Sequence, residues 1–426
     1  MFSEWIRNKS YWTVDRLKGS PVHKHYIDIE EKIKSNITLD TYSLNKILEY
    51  ASNNVPFYWQ YKYRNSLEYF PVVNKCIIKE NYDQFQSQEY KNSKVIQLHT
   101  SGSTGTPFTI RQDVDKRNRC LAEMMYFWGL IGYKIGMRYI YYRTWNDKNR
   151  KGKLSAFARN IIMSDILRFD DNSLHEAEKV LKSDKSIKML LGYASTLDVL
   201  GNHLYEKGCT PDMFNIKSIV AISESLPDSG REKLINVFGC PVVSHYSNSE
   251  NGVLAQWDDS VDGFIINTAS FVVELLDLEA DVPVEIGKPG RIVITDLYNK
   301  AMPMLRYDTG DIGVQKIDKN GRLVLSSIEG RKIDFIFDTK GRMVSPHEIS
   351  VAFWAFPGLR QYQFIQNEEK QYVLKVIPSE ELRGTQEIVK EFKRILGDEA
   401  VICVEVVNEI PVLSSGKRRY IINKYK

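Results

Sequence analysis

Between about residues 110 and 330, helical and β-rich segments take turns, and this alternation most narrows what the chain can become. Lys116–Gly129 has helical spacing and Arg138–Tyr142 reads as a strand. Leu174–Lys182 is helical, Ile216–Ile222 (IKSIVAI) β-rich, Ser229–Phe238 helical, and Pro241–Tyr246 another short strand. Apolar strands separated by helices predict buried parallel strands with helices on their faces. From Phe264 to Val314 the rhythm changes to strands divided by turns, FIINT, FVVELLD, GRIVITD and MPMLRY. That change predicts an antiparallel or β-barrel-like subdomain. Residues 1–95 read mainly as helices. After Arg331 comes a small α+β unit, with strands at Arg360–Phe364, Gln371–Val376 and Val401–Val407 and a helix near Thr385–Leu396. The expected fold class is α/β, α+β multidomain. A large N-terminal domain of mixed and parallel sheets with helices spans residues 1–332, and a small α+β C-terminal domain spans residues 333–426.

Composition excludes several classes. With 43% apolar and 26% charged residues the chain is neither disordered nor collagen-like. Its 58 basic and 54 acidic residues leave a net charge of +4, no footprint for nucleic acid or an anionic membrane. Five cysteines without CxxC spacing read as reduced thiols of a cytoplasmic protein. The opening MFSEWIRNKSYW has no apolar core of a signal peptide, and Met124–Ile135 is too short and glycine-broken for a membrane span.

Four segments carry chemistry. His99-Thr-Ser-Gly-Ser-Thr-Gly-Thr-Pro-Phe108 follows the strand-like Val95–Leu98. Its glycines permit tight backbone and its hydroxyls supply hydrogen bonds, so it can wrap phosphate oxygens; it is not the P-loop GxxxxGK[ST]. Tyr246-Ser-Asn-Ser-Glu-Asn-Gly252 ends a β-rich run. Its aromatic can stack on a base and Glu250 can hold a divalent cation. Arg306-Tyr-Asp-Thr-Gly-Asp311 offers carboxylates to ribose hydroxyls, and Ser415-Gly-Lys-Arg-Arg-Tyr420 is a basic run able to touch an acidic ligand. Each has a bland counterpart: a solvated turn, a polar loop, an Asp-Gly β-turn, a basic tail.

Taken in order, these segments resemble the adenylate-forming superfamily, and within it the phenylacetate–CoA ligase branch with its CapK-type members of capsular polysaccharide biosynthesis. Tyr50-Ala-Ser-Asn-Asn-Val-Pro-Phe-Tyr58, Phe70-Pro-Val-Val-Asn-Lys75, Leu191-Gly-Tyr-Ala-Ser195 and Ile222-Ser-Glu-Ser-Leu-Pro227 extend the likeness over nearly the whole chain. The resemblance implies an ATP-dependent, AMP-forming ligase that activates a carboxylic acid as its acyl-adenylate. It implies that Thr100, Ser101, Gly102, Ser103, Thr104 and Gly105 surround the ATP phosphates, and that Ser223, Glu224 and Ser225 lie beside the adenine and acyl pocket. Tyr246 then stacks on adenine, Ser249 meets the α-phosphate, Glu250 is the Mg²⁺-associated carboxylate, Asp311 binds ribose with Arg331 in support, and Lys417 is the catalytic lysine on a mobile C-terminal cap.

Three positions depart from the branch pattern. Thr106 replaces the phosphate-loop lysine, Ile333 the hinge aspartate in Gly330-Arg-Lys-Ile-Asp334, and Ser247 the glycine after the tyrosine. The resemblance implies ATP and Mg²⁺ as cofactors, a small carboxylic acid as substrate, and CoA as the default acceptor. Transfer to an amine or hydroxyl of a sugar in capsule or O-antigen synthesis, or to a carrier thiol, is the alternative. A nucleotide-binding scaffold without catalysis is a third reading, favoured by Thr106 and Ile333. The relatives imply a monomer or homodimer with no nucleic-acid or membrane partner. His99 and His245 flank the two best motifs, and His245 can line the acyl pocket or be a satisfied strand-end histidine. His347 reads as a helix-start residue, Cys209 and Cys240 as thiols without a base motif, and Trp128 and Tyr133 as core or pocket border.

Overall fold

The computed structural model describes residues 2–100, 108–143, 145, 149–165, 171–331, 336–344, 349, 352–353, 356, 358–378, 384–410 and 420–425. Its helices and strands follow the predicted rhythm. The chain opens with α1 (Phe2–Leu17), α2 (Pro21–Lys34), α3 (Thr41–Asn54) and α4 (Lys75–Glu80). A hairpin of β1 (Ile96–Thr100) and β2 (Phe108–Gln112) leads into α5 (Val114–Leu130). Then come β3 (Arg138–Tyr142), α6 (Lys153–Arg159), β4 (Ile161–Ser164), α7 (Asp171–Ser183), β5 (Ile187–Tyr193), α8 (Ala194–Glu206), β6 (Ser218–Ile222), α9 (Asp228–Phe238) and β7 (Val242–Asn248). A strand-rich stretch follows: β8 (Gly252–Asp258), β9 (Gly263–Ile266), β10 (Phe271–Leu276), β11 (Pro289–Asp296), β12 (Tyr307–Ile317) and β13 (Leu323–Arg331). The C-terminal part holds β14 (Ile336–Phe337), β15 (Met343–Val344), β16 (Leu359–Glu368), β17 (Gln371–Pro378), α10 (Thr385–Leu396), β18 (Val401–Val406) and β19 (Ile421–Asn423).

These elements form two compact units. The first comprises residues 1–138, 153–160 and 243–328, and the second residues 139–152, 161–242 and 329–426. The expected boundary at 332/333, with Ile333 and Asp334, lies outside the described residues. In the first unit the strand order is β10-β11-β12-β13-β9-β8-β7. The pairs β10–β11, β11–β12, β13–β9, β9–β8 and β8–β7 are antiparallel, as the strand-and-turn pattern predicts. MPMLRY does not form the expected strand. Met302, Met304 and Leu305 are wholly buried, yet they run as irregular chain and β12 begins only at Tyr307. Backbone bonds from Asp296 to Met304 and from Arg306 to the Thr295 hydroxyl hold that segment instead of a ladder.

In the second unit the order is β6-β5-β3-β4, with β5–β6 and β3–β4 parallel and α7, α8 and α9 in its apolar core. That is the buried parallel arrangement expected of uninterrupted apolar strands. The C-terminal sheet runs β18-β17-β16-β19 over a core of its own built on Phe364, Leu374 and Phe392.

One helix organises the first unit. Asp113 caps α5 by accepting from Lys116 N at 2.8 Å, and its other oxygen accepts from Lys300 N at 2.8 Å. Lys116, fully buried, pairs with Asp296 at 2.9 Å and lies over the Phe271 ring. Burial pushes its ammonium down, but Asp296, Cys120 and Glu123 together outweigh that and hold it above the usual lysine range. Arg119, also fully buried, donates to Ser270 Oγ and Ala269 O and pairs with Asp28. Removing one partner of such a buried pair leaves an uncompensated charge, a loss of about 3–5 kcal/mol. Lys116→Met should therefore lower the stability of the first unit by about that amount in urea unfolding; a change within about 0.5 kcal/mol, the range of ordinary surface substitutions, would contradict this role for Lys116.

Candidate functional site

The turn between β7 and β8 carries Ser249, Glu250 and Asn251, and the end of β2 together with α5 fixes it. Gln112 Nε2 donates to Glu250 O at 3.1 Å, Cys120 Sγ to Asn251 O at 3.4 Å, and Val253 N to Glu123 Oε2 at 3.3 Å. Asn251 N donates to Asn248 Oδ1 at 2.7 Å and closes the turn. Gly252 has φ +110°, and a Cβ there would meet Glu123 Oε2 at 2.7 Å and Cys120 Sγ at 3.0 Å. Both backbone angle and space therefore call for glycine. The β7–β8 register shifts between Tyr246 and Ser247, with Leu254 as the extra residue. Such bulges re-aim side chains next to sites.

Two of the predicted site residues meet directly. Tyr246 Oη donates to Asp311 Oδ2 at 2.7 Å, although 65 residues separate them. Burial and the neighbouring Asp311 push the Tyr246 hydroxyl well above its ordinary range, so it remains a donor. Thr309 fixes the other side: its Oγ1 donates to Ile292 O at 2.9 Å and accepts from Asp311 N at 3.1 Å. Gly310, at φ +78°, lets the chain turn between them.

Glu250 is 3% exposed and carries a partner that the motifs did not reveal. Lys75 Nζ lies 2.8 Å from its Oε1, and Tyr307 Oη donates to the same oxygen at 3.4 Å. Burial, followed by Glu250, pushes the Tyr307 hydroxyl up. Lys75 reaches this place because Val73 bridges to Tyr307. Val73 N donates to Arg306 O at 3.0 Å, and Asp308 N donates to Val73 O at 2.8 Å. Lys75 closes the Phe70–Lys75 segment, but a partner 175 positions downstream has no local signature.

In the second unit Glu224 Oε2 accepts from Ser195 N at 3.0 Å, so the Leu191–Ser195 and Ile222–Pro227 segments meet at the start of α8. Ser223 adopts φ +71°, a left-handed conformation costly for a residue with a Cβ. Ser225 follows it in the same connection. Thr100 ends β1 and Arg331 ends β13. Ser101, Gly102, Ser103, Thr104, Gly105 and Thr106 lie outside the described residues, as do His347 and Lys417. Among the described residues no group of three or more His, Cys, Asp or Glu is placed to hold a metal ion.

The comparisons agree with this architecture. A family model for the CapK C-terminal domain matches residues 336–424. Protein CapK of Staphylococcus aureus is 23% identical over 95% of this chain and 93% of its own length. The phenylacetate-coenzyme A ligase of Thermus thermophilus is 22% identical over 85% of this chain and 84% of its own. The chain is a relative of CapK and of the phenylacetate–CoA ligases. The fold is that of a solved 2-hydroxyisobutyryl-CoA ligase in its postadenylation state with 2-HIB-AMP, at TM-score 0.71, 19% identity, and coverage of 90% of this chain and 88% of that one. The α/β multidomain class expected from the sequence is the class observed.

His245, one residue before Tyr246, is buried beside Trp128, whose indole N–H donates to its Nδ1 at 3.2 Å. Burial pushes its imidazole down to about 4, so the folded protein holds it neutral. An unfolded histidine takes up its proton near 6.5, about 2.5 above that value. Its contribution is complete above about pH 6.5 and shrinks as pH falls towards 4. Between pH 7.5 and 5, wild-type stability should fall by about 2 kcal/mol more than that of His245→Phe in denaturant unfolding. Parallel losses in the two proteins would contradict the buried neutral state.

Proposed function

We propose that this chain is an ATP-dependent, AMP-forming ligase that activates a small carboxylic acid. The observation that carries the reading is the pair of contacts joining the β7–β8 turn to the Arg306–Asp311 segment: Tyr246 to Asp311, and Tyr307 with Lys75 to Glu250. Carboxylates, a half-buried aromatic and a strand-end turn converge where a nucleoside and its phosphates can be held. Asp311 accepts from ribose hydroxyls, and the Tyr246 ring supplies a flat apolar face for the base.

A carboxylate is a poor acyl donor because its leaving group is oxide. In the first step its oxygen bonds to the α-phosphorus of ATP, the bond to the bridging oxygen breaks, and pyrophosphate leaves. Two anions approach each other, so the site must supply compensating cations. Glu250 suits one nucleotide-borne Mg²⁺, since that ion commonly takes one or two protein carboxylates and completes its shell with phosphates and water. Lys75 and Tyr307 both address Oε1, which leaves Oε2 for the metal. When bound, Mg²⁺ neutralises phosphate charge. Lys417 serves as a compact cation between the acid and the α-phosphate. In the second step an acceptor attacks the acyl carbon and AMP leaves. CoA thiol is the acceptor this reading favours, because the relatives named as phenylacetate-coenzyme A ligases span most of the chain. The five free cysteines fit a reducing compartment.

A scaffold reading retains one specific support, the loss of the phosphate-loop lysine at Thr106 together with Ile333 at the hinge. ATP–pyrophosphate exchange over a panel of acids separates the two. The ligase reading predicts acid-dependent exchange, lowered about 10²–10³-fold by Lys417→Ala with an unchanged unfolding midpoint. Unchanged exchange in that variant would contradict the role of Lys417. AMP binding without exchange by any acid would establish the scaffold.

A further inference from the structure

Among the described residues, the faces of β7 and β8 turned towards α5 hold two buried polar atoms without partners, one on His245 and one on Gln256. His245 is 7% exposed, and its Nδ1 accepts from the Trp128 indole. An indole nitrogen only donates, so the neutral imidazole carries its proton on Nε2. That Nε2 is buried with no hydrogen-bond partner. Directly opposite in the β7–β8 register lies Gln256, 2% exposed. Its Nε2 donates to Phe127 O at 2.8 Å. A carbonyl only accepts, which fixes the amide orientation and leaves Oε1 as the second atom, also buried without a partner.

Residues directly opposite in an antiparallel pair share a face. One donor and one acceptor therefore lie on the same face of the β7–β8 pair, beside Phe127 and Trp128. Buried polar atoms of this kind are expensive when left dry. A single hydroxyl group answers both, accepting from a donor and donating to an acceptor.

We propose that His245 and Gln256 together hold one hydroxyl group, borne by the carboxylic acid that the enzyme activates. The hydroxyl oxygen accepts from His245 Nε2–H, and its hydrogen goes to Gln256 Oε1. The inference rests on the acid-activating reading and adds the substrate's chemical class, a hydroxy acid. His245 lies three residues from the end of β7, roughly 10 Å at strand rise. That span suits a small acid whose carboxylate meets the α-phosphate near Ser249 and Glu250. Alternation puts His245 on the opposite side of the strand from Tyr246, so acid and base occupy different faces. A bound water offers the same O–H chemistry and is the competing occupant.

The test is ATP–pyrophosphate exchange with acids paired to differ by one hydroxyl: the hydroxybenzoates against benzoate, and 2-, 3- and 4-hydroxybutyrate against butyrate. Sites built to bond a hydroxyl reject the analogue lacking it strongly. At least one hydroxy acid should exceed its partner about 30-fold or more in kcat/KM. His245→Phe and Gln256→Leu should each bring that ratio near unity, while Gln256→Glu, which keeps an acceptor, should retain most of it. Nucleotide affinity, measured by AMP titration, should stay within about twofold in all three variants, as expected of residues outside the nucleotide's contacts. If acids drive exchange but hydroxyl-bearing ones have no advantage, the locus holds only water and the inference is overturned alone. If no acid drives exchange, the ligase reading fails and takes the inference with it.

Discussion

A lysine wholly withdrawn from water underlies the first unit. Lys116 is tolerated inside because Asp296 stands 2.9 Å away, and that pair ties α5 to the end of β11. Asp113, Arg119 and Glu123 extend the same inward stripe and reach the 300 loop, Ala269 and Ser270, and the start of β8. From this helix hangs the turn that carries Glu250. The proposed nucleotide site gains from such a rigid mount, because its side chains must not reorganise as charge develops.

Much of this was legible in the sequence, and the failures have physical causes. The helices and strands around Ile216–Tyr246 were readable because apolar runs and helical spacing are local properties. The four chemical segments were readable because small, hydroxyl-bearing and acidic residues cluster in each. The inward stripe on α5 was not. Charges at Lys116, Arg119 and Glu123 have the spacing of a solvated helix face, and only the distant Asp28, Asp296 and Val253 turn them inward. MPMLRY misled in the opposite sense. Its apolar residues mark burial correctly, but burial alone does not make a strand, and Arg306 at φ +49° breaks the extended path. Lys75 escaped notice because its meaning depends on a bridge between Val73 and Tyr307 that long-range pairing creates.

The two faces of β7 divide the labour. On one, Tyr246 gives its hydroxyl to Asp311, so an aromatic and a carboxylate are held together. On the other, His245 stays neutral beneath Trp128. At the strand's end Glu250 keeps a buried negative charge because Lys75 accompanies it. Under the proposed ligase reading this preorganisation serves a reaction that joins two anions and leaves little energy for rearranging the protein.

The central claim is that the Tyr246–Asp311 pair is the nucleoside end of the site. Calorimetric titration of AMP into wild type and into Asp311→Asn tests it most directly. The account predicts binding at least about 10-fold weaker in the variant, consistent with losing a charge-assisted hydrogen bond, with the unfolding midpoint unchanged. Equal affinity in the two proteins would contradict it.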